Sequence, residues 1–237
     1  MAMFKLLGFS SEGWAGALLA ATLMTVLVTF AALAIGAFVG STVTWAKLSR
    51  NLFARAIGDA YTTVFRGVPE LLILYLIYFG GSSAATQIAS YLGADEFYGM
   101  PPFLSGAIAV GVISASYQTE VYRGAYLAVA RGEIEAAMSL GMSRMHLFFR
   151  IVAPQILRFA LPGLGNVWQM TLKDSALISI TGLAELMRAS QIAAGSTHQY
   201  FLFFITGGVL YLALTGLSTS AFTRLETHLG RSARRPA

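Results

Sequence analysis

The stretch from Trp14 to Trp45 contains no charged side chain and consists mostly of apolar residues. A helix needs about 20 such residues to cross a bilayer, and this stretch is too long for the apolar part of a cleavable signal peptide. The whole chain is 56% hydrophobic and only 11% charged, whereas soluble domains carry about 25% charged residues. The sequence therefore predicts an all-α membrane protein whose 237 residues form a single transmembrane domain, 1–237.

Five apolar stretches are long enough to form membrane-spanning helices. They cover roughly residues 14–45, 57–80, 102–125, 157–182 and 199–223. The second differs from the others because Asp59, Arg66, Pro69 and Glu70 interrupt its first half. We expect a bundle of about five transmembrane helices joined by short loops.

Basic residues concentrate in three connecting segments and predict the orientation of the bundle. These segments follow the first stretch, join the third to the fourth, and follow the fifth: Lys47, Arg50, Arg55, Arg123, Arg131, Arg144, Arg150, Arg158, Arg224, Arg231, Arg234 and Arg235. Another connection carries the acidic Asp95 and Glu96. Basic loops remain in the cytoplasm, so we expect an outside N-terminus and an inside C-terminus. An odd number of spans agrees with this orientation, and the same bias accounts for the net charge of +5.

Several kinds of chemistry are excluded by the residues that the sequence lacks. It has no cysteine, and His146, His198 and His228 are scattered, so we expect neither a disulfide nor a metal site. It has no phosphate-binding loop of the form GxxxxGK[ST]. We therefore expect no bound cofactor, no catalytic residue and no ATP hydrolysis by this chain alone.

The segment EAAMSLGMSRMHLFFRIVAP, residues 135–154, is amphipathic and basic, yet it lies between long apolar stretches. Good helix formers precede Gly141, a residue that can end a helix in the left-handed conformation. Ser143 can then cap a second helix that extends to Val152, and Pro154 limits its length. The sequence predicts two short cytoplasmic helices that dock a partner through an apolar face. The predicted face comprises Ala136, Ala137, Leu140 and Met145, with Glu135 available to pair with a partner's cation.

Two other functions fit parts of this pattern. A DNA-binding helix-turn-helix has the same local order of helix, Gly turn and capped helix. Against it, the second helix carries Phe148, Phe149, Ile151 and Val152 instead of polar base-reading side chains. A membrane channel or ion-coupled carrier without an ATPase is the other alternative, although the inverted repeats common in such carriers are not found.

The same segment resembles a motif of the membrane subunits of bacterial ABC importers. In that motif Glu-Ala-Ala is followed by Gly, Ile and Leu-Pro at fixed spacing. The matching positions here are Glu135, Ala136, Ala137, Gly141, Ile151 and Pro154, and Ala153 replaces the usual Leu. The segments FRGVPELLILYLIYFG (65–80), EVYRGAYLAV (120–129) and KDSALISITGL (173–183) are similar to blocks of the polar amino-acid uptake branch.

This resemblance implies a permease subunit for polar amino acids, of the histidine/arginine/lysine or the octopine/nopaline type. It implies that the loop at about 131–155 is a coupling helix that sits in a cleft of the ATPase. The implied partners are an ABC ATPase dimer that binds ATP and Mg, a second permease chain, homologous or identical, and a periplasmic solute-binding protein. The implied location is the bacterial inner membrane, with no nucleic-acid partner.

Polar side chains within the spans are candidates for a substrate path, because ionisable residues in a bilayer are costly. Lys173 and Asp174 are adjacent in the fourth stretch. Successive helical residues point about 100° apart, so these two are expected to have different partners. A structural ion pair or a hydrogen bond between subunits is the alternative. Asn166 and Gln169 can line the same path or serve helix packing.

Glu120 is the fifth candidate for the substrate path, near the inner end of the third stretch. Arg123 lies three residues further along, so a local salt bridge is favoured over substrate contact. Arg66 and Glu70 are four residues apart around Pro69, where we expect them to satisfy backbone groups that a proline kink frees.

Overall fold

The computed structural model describes residues 6–9, 13–92 and 99–231, and the regular secondary structure in these ranges is helical throughout. The first four helices are α1 (Ala15–Leu48), α2 (Leu52–Gly67), α3 (Glu70–Tyr91) and α4 (Pro102–Leu127). The remaining ones are α5 (Arg131–Ser139), α6 (Arg144–Leu147), a π turn (Phe148–Val152), α7 (Ala153–Asp174), a 3-10 segment (Ser175–Thr181), α8 (Leu186–Thr197) and α9 (Tyr200–Arg231). The predicted all-α fold class is confirmed. Asp95, Glu96, Arg234 and Arg235, which entered the orientation argument, lie outside the described residues.

Four of the described helices are long and apolar enough to cross a membrane, judged by length and composition. They are Ala15–Leu48, Glu70–Tyr91, Arg144–Thr181 and Tyr200–Leu229. The predicted third span corresponds to α4, which has 26 residues and is therefore about 39 Å long, but is less apolar. Half of the residues of α4 are buried among neighbouring helices, and these include the polar Ser114, Gln118 and Thr119, which meet protein instead of lipid.

The predicted second span, 57–80, is wrong in its boundaries. Helix α2 ends at Gly67 and α3 begins at Glu70, so the crossing helix is α3. Val68 between them is extended, with φ −93° and ψ 138°. Pro69 accounts for the break, because a proline disfavours the helical conformation of the preceding residue and lacks a backbone N–H.

The fourth span also begins earlier than predicted. The second docking helix does not stop at Val152, because the helical path continues from Arg144 through the π turn and α7. The Ala153 N–H bonds to the Phe148 carbonyl five residues back. This wider turn precedes Pro154, which lies in the first turn of α7, where its missing N–H costs little. The helix therefore continues through Pro154, and its register changes at the π turn just before this residue.

Helix α4 is the centre of the bundle and packs against α1, α2, α3 and α7. Its closest neighbour is α1, which approaches through small residues. A Cβ added at Gly40 would lie 3.1 Å from the Ala115 carbonyl oxygen. Next to this contact, Thr44 Oγ1 donates to the Thr119 carbonyl at 3.1 Å, and Thr119 Oγ1 donates to the Gly40 carbonyl at 3.3 Å. Gly40 therefore allows α1 and α4 to approach closely. The hydroxyl groups of Thr44 and Thr119 form hydrogen bonds between the two helices.

Candidate functional site

The first candidate site is the turn between α5 and α6, where Gly141 has a φ of +77°. The Gly141 N–H donates to the Met138 carbonyl at 3.0 Å, and the Met142 N–H donates to the Ala137 carbonyl at 3.1 Å. These two bonds form a Schellman motif, which satisfies the last carbonyls of a helix when a left-handed residue follows it. The predicted left-handed turn at Gly141 is therefore present.

Ser143 begins the second helix of this turn. Its side chain caps α6 by accepting from the His146 N–H, and its hydroxyl lies 2.8 Å from His146 Nδ1. A serine at this position satisfies a backbone donor that the first helical turn leaves free. The predicted cap is therefore correct, although the helix that it starts is longer than expected.

A concave surface of about 490 Å³ lies between the two arms of the turn. We call it the docking surface; its lining residues are Glu133, Ala136, Ala137, Leu140, Met142, Arg150, Ile151, Pro154 and Gln155. Leu140 is 86% exposed and Ala137 is 4% exposed, so Leu140 is open to a partner whereas Ala137 packs inward. The Gln155 amide donates to the Glu133 carboxylate and joins the arms.

Four of the six predicted coupling residues line the docking surface: Ala136, Ala137, Ile151 and Pro154. The other two are Glu135, which is exposed, and Gly141, which shapes the turn. Met145 is 70% exposed but does not line this surface, so the predicted apolar face is split. The docking surface thus combines the exposed apolar side chain of Leu140 with the charged groups of Glu133 and Arg150.

The second candidate site is the C-terminal end of α7, where Lys173 is exposed and Asp174 is half-buried. The charged groups that act electrostatically on Asp174 are Glu70, at the start of α3, and Lys173. Neither Lys173 nor Asp174 forms a salt bridge with another described residue. The structure thus adds Glu70 to the predicted pair. Glu70 was not predicted as a neighbour because it lies far from Lys173 and Asp174 in the sequence.

The two amide candidates differ in their surroundings. Asn166 is exposed, whereas Gln169 donates to Thr219 Oγ1 at 2.8 Å and joins α7 to α9. The contact of Gln169 favours the helix-packing alternative for this residue. Trp168, between them, packs edge-on against Phe30 with its buried Nε1 lacking a partner among the described residues.

Glu120 belongs to a charge network at the other end of the bundle. Arg123 Nη2 lies 3.0 Å from Glu120 Oε2, which confirms the predicted local salt bridge. Lys47 Nζ contacts Glu120 Oε1 at 2.5 Å, Asp59 Oδ1 at 3.0 Å and Thr62 Oγ1 at 2.9 Å. The network therefore joins α1, α2 and α4. Lys47 and Asp59 were not predicted here, because no local spacing connects them to Glu120.

The expected backbone role of Arg66 and Glu70 at the proline break is wrong. The Arg66 guanidinium instead lies over the Tyr117 ring, 5.3 Å from its centre. In the described part of the chain no backbone carbonyl accepts from Arg66, and Glu70 begins α3. The break is stable because Val68 N–H still donates to the Val64 carbonyl at 3.0 Å.

Glu185 is a buried acid that the sequence reasoning missed, although an acidic residue before a helix is a known capping signal. It is 0% exposed and lies between the fourth and fifth spans. Its carboxylate accepts from the N–H groups of Met187 and Arg188 at 2.8 and 2.7 Å and from the Tyr211 hydroxyl at 3.0 Å. Burial raises the pKa of Glu185, and these hydrogen bonds oppose the rise. The residue fastens α8 to α9.

No group of three or more metal-ligating side chains occurs among residues 6–9, 13–92 and 99–231.

Three curated relatives resemble this chain along nearly its whole length. The octopine transport system permease protein OccQ of Rhizobium meliloti is 48% identical over 235 residues, which cover 99% of each chain. The nopaline transport system permease protein NocQ of Agrobacterium fabrum is 46% identical, with 97% of this chain and 98% of the relative covered. The histidine/lysine/arginine/ornithine transport system permease protein HisQ of Escherichia coli K12 is 37% identical, with 90% and 93% covered.

Solved structures show the same fold. An amino acid ABC transporter crystallised with histidines matches with a TM-score of 0.75 and 30% identity, covering 91% of this chain and 95% of the other. The inward-facing MetNI methionine ABC transporter matches with a TM-score of 0.65 at 19% identity, which supports the fold alone. Residues 32–231 match the family described as binding-protein-dependent transport system inner membrane component. The chain therefore belongs to this family of inner membrane transport components.

Proposed function

We propose that this chain is the permease subunit of an ATP-driven importer of polar amino acids, either basic amino acids or opines. The observation that carries this proposal is the 48% identity to an octopine permease along 99% of the chain. The 37% identity to a permease named for histidine, lysine, arginine and ornithine supports the same substrate class. The relatives named above are transport permeases and the solved structures are ABC transporters, which favours this proposal over the helix-turn-helix and over the carrier without an ATPase.

The complete importer contains a second permease chain, homologous or identical, an ATPase dimer and a periplasmic solute-binding protein. ATP and Mg bind to the ATPase. The proposed orientation in the bacterial inner membrane has the N-terminus outside, the C-terminus inside and residues 131–155 in the cytoplasm. The docking surface supports this arrangement, because it offers an exposed Leu140, with the exposed Glu135 on the short helix that ends just before it, at the end of the bundle that carries basic residues.

Coupling in this proposal follows the helical path that begins at Arg144. The path runs through the π turn and α7, which contains Pro162, to Asp174. Closure of the ATPase dimer would move the docking surface, and the helix would transmit that motion to the charged end near Glu70. Because a helix rises about 1.5 Å per residue, this lever is about 45 Å long.

The test is uptake by proteoliposomes that contain this chain with the ATPase, the binding protein and any second permease encoded by neighbouring genes. We expect uptake of radiolabelled arginine or octopine only when ATP and Mg are enclosed. Liposomes with the permease alone are the control. Uptake by the permease alone, driven by an ion gradient, would instead support the carrier alternative.

A further inference from the structure

A polar cavity of about 360 Å³ lies between α1, α2 and α4, separate from the docking surface and from Asp174. We call it the α2 cavity; its lining residues are Lys47, Asp59, Thr62, Thr63, Arg66 and Glu120. All six lining side chains are polar or charged. The volume lies within the range of small-molecule sites, about 300–1,000 Å³. Polar groups in a membrane bundle are costly, and such a concentration indicates a path or a ligand.

The sequence of α2 directs its polar side chains into this cavity. Asp59, Thr62, Thr63 and Arg66 follow a helical spacing of three, four and seven residues, which places them on one face. Other positions of α2 expose large apolar side chains: Leu52, Phe53, Ile57 and Val64. A helix with an apolar outer surface and a charged inner stripe is suited to lining a polar cavity within a membrane domain.

Most of the charges in the α2 cavity already satisfy one another. The three donors of the Lys47 ammonium group face Asp59, Glu120 and Thr62. Both oxygens of Glu120 are paired, one with Lys47 and one with Arg123. With respect to the residues that the structure describes, two groups keep free hydrogen-bonding capacity. One is the second carboxylate oxygen of Asp59, whose side chain is 60% exposed, and the other is the guanidinium of Arg66.

Arg66 has no carboxylate partner among the described residues; its one recorded contact is the Tyr117 ring. A guanidinium held flat against an aromatic ring keeps its edge free for a carboxylate, which it binds through two parallel hydrogen bonds. Asp59 and Arg66 are seven residues apart, so their Cα atoms are separated by about 10 Å along the helix. One oxygen of the Asp59 carboxylate, whose other oxygen pairs with Lys47 at 3.0 Å, and the edge of the Arg66 guanidinium thus lie at two ends of one cavity.

We propose that the α2 cavity is a second substrate subsite, which holds an amino acid with a distal positive charge at the end of the bundle predicted to face the cytoplasm. Arg66 binds the α-carboxylate, and Asp59 binds the distal cation of the side chain. This inference rests on the proposed function and adds to it a selective step that follows the binding protein. A neutral amino acid would satisfy Arg66 but would leave the second carboxylate oxygen of Asp59, the one that Lys47 does not contact, without a charged donor.

Equilibrium binding to the purified permease–ATPase complex in lipid nanodiscs, without the binding protein, tests the subsite. The probes are radiolabelled L-arginine, L-citrulline, which has a neutral side-chain end, and L-arginine amide, which lacks the carboxylate. Arg66→Gln should weaken arginine binding by about tenfold or more and leave the binding of arginine amide unchanged. Asp59→Asn should weaken arginine binding similarly and leave citrulline binding unchanged.

Arg55→Gln is the matched control, because it makes the same charge change on an exposed residue of α2 outside the cavity. Its arginine affinity should equal that of the wild type. Equal losses for all three probes would show that Asp59 and Arg66 act structurally, and unchanged arginine binding in both variants would also refute the subsite. In either case, wild-type uptake of arginine in proteoliposomes would leave the proposed function standing, whereas absence of uptake of any amino acid or opine would refute that function itself.

Discussion

Substitutions of Gly141 test two properties of the docking turn separately. One is its left-handed backbone conformation, and the other is the absence of a charge at this position. The residue has a φ of +77°, and a Cβ built there meets nothing within 4 Å. A side chain at this position therefore encounters backbone strain but no steric clash. Ala in the left-handed region costs about 1–2 kcal/mol, whereas Asn and Asp enter that region more readily because their short polar side chains bond locally.

A series of three substitutions uses this difference. Gly141→Ala adds strain without charge, which lowers the population of the native turn by a factor of about 5–30. Gly141→Asn and Gly141→Asp are similar in size and tolerance of the conformation, and they differ in charge. The negative charge would be buried near Leu140 when a partner covers the docking surface, and an unpaired buried charge costs far more than the strain. We expect loss of docking in the order Asp, Ala, Asn, with the Asp variant most affected.

Co-purification of the ATPase with the tagged permease measures docking, and uptake of labelled substrate measures coupling. The amount of permease in the membrane should stay near normal in all three variants, because Gly141 lies outside the spans. Full uptake by Gly141→Asp with the ATPase retained would refute the assignment of residues 131–155 as the coupling loop. Equal effects of the Asn and Asp variants would refute the argument from charge.

Three further predictions concern other parts of the chain. Asp174→Asn should lower uptake by about tenfold while the complex still co-purifies; dissociation of the complex would favour a structural role. In intact cells, a cysteine at Ser139 should be protected from an impermeant thiol reagent and one at Ser196 should be labelled, and the reverse pattern would invert the orientation. Glu185→Ala leaves three partly buried donors without their acceptor and should destabilise the fold by about 3 kcal/mol, seen as a lower melting temperature, whereas Glu185→Gln retains an accepting oxygen and should lose less.

The docking turn could be predicted from sequence because each of its signals is local. Gly141 ends one helix and Ser143 caps the next within a few residues, and no distant contact is needed for either. The role of Pro154 was predicted less well. A proline can end a helix or occupy its first turn, and only the π turn before it distinguishes these outcomes here.

The charge network could not be predicted from spacing. Lys47 and Glu120 belong to different helices, and the contact depends on how closely α1 approaches α4. Hydropathy was equally insufficient at the second span, where apolar residues lie on both sides of the break at Pro69. A window that averages over that break assigns one helix to a segment whose backbone turns between two.

Helix α4 is less apolar than the other spans, although it lies at the centre of the bundle. Its side chains bond to one another and to α1: Gln118 Nε2 donates to the Leu33 carbonyl at 3.3 Å, and the Tyr122 hydroxyl donates to Gln118 Oε1 at 2.8 Å. A polar helix is stable in a bilayer only when protein surrounds it and satisfies these groups. The surrounding helices take over the contact with lipid, so the central one can carry Glu120 to the edge of the α2 cavity. The weak hydropathy of α4 is thus a consequence of its central position, and that position lets one helix connect the bundle's core to its charged end.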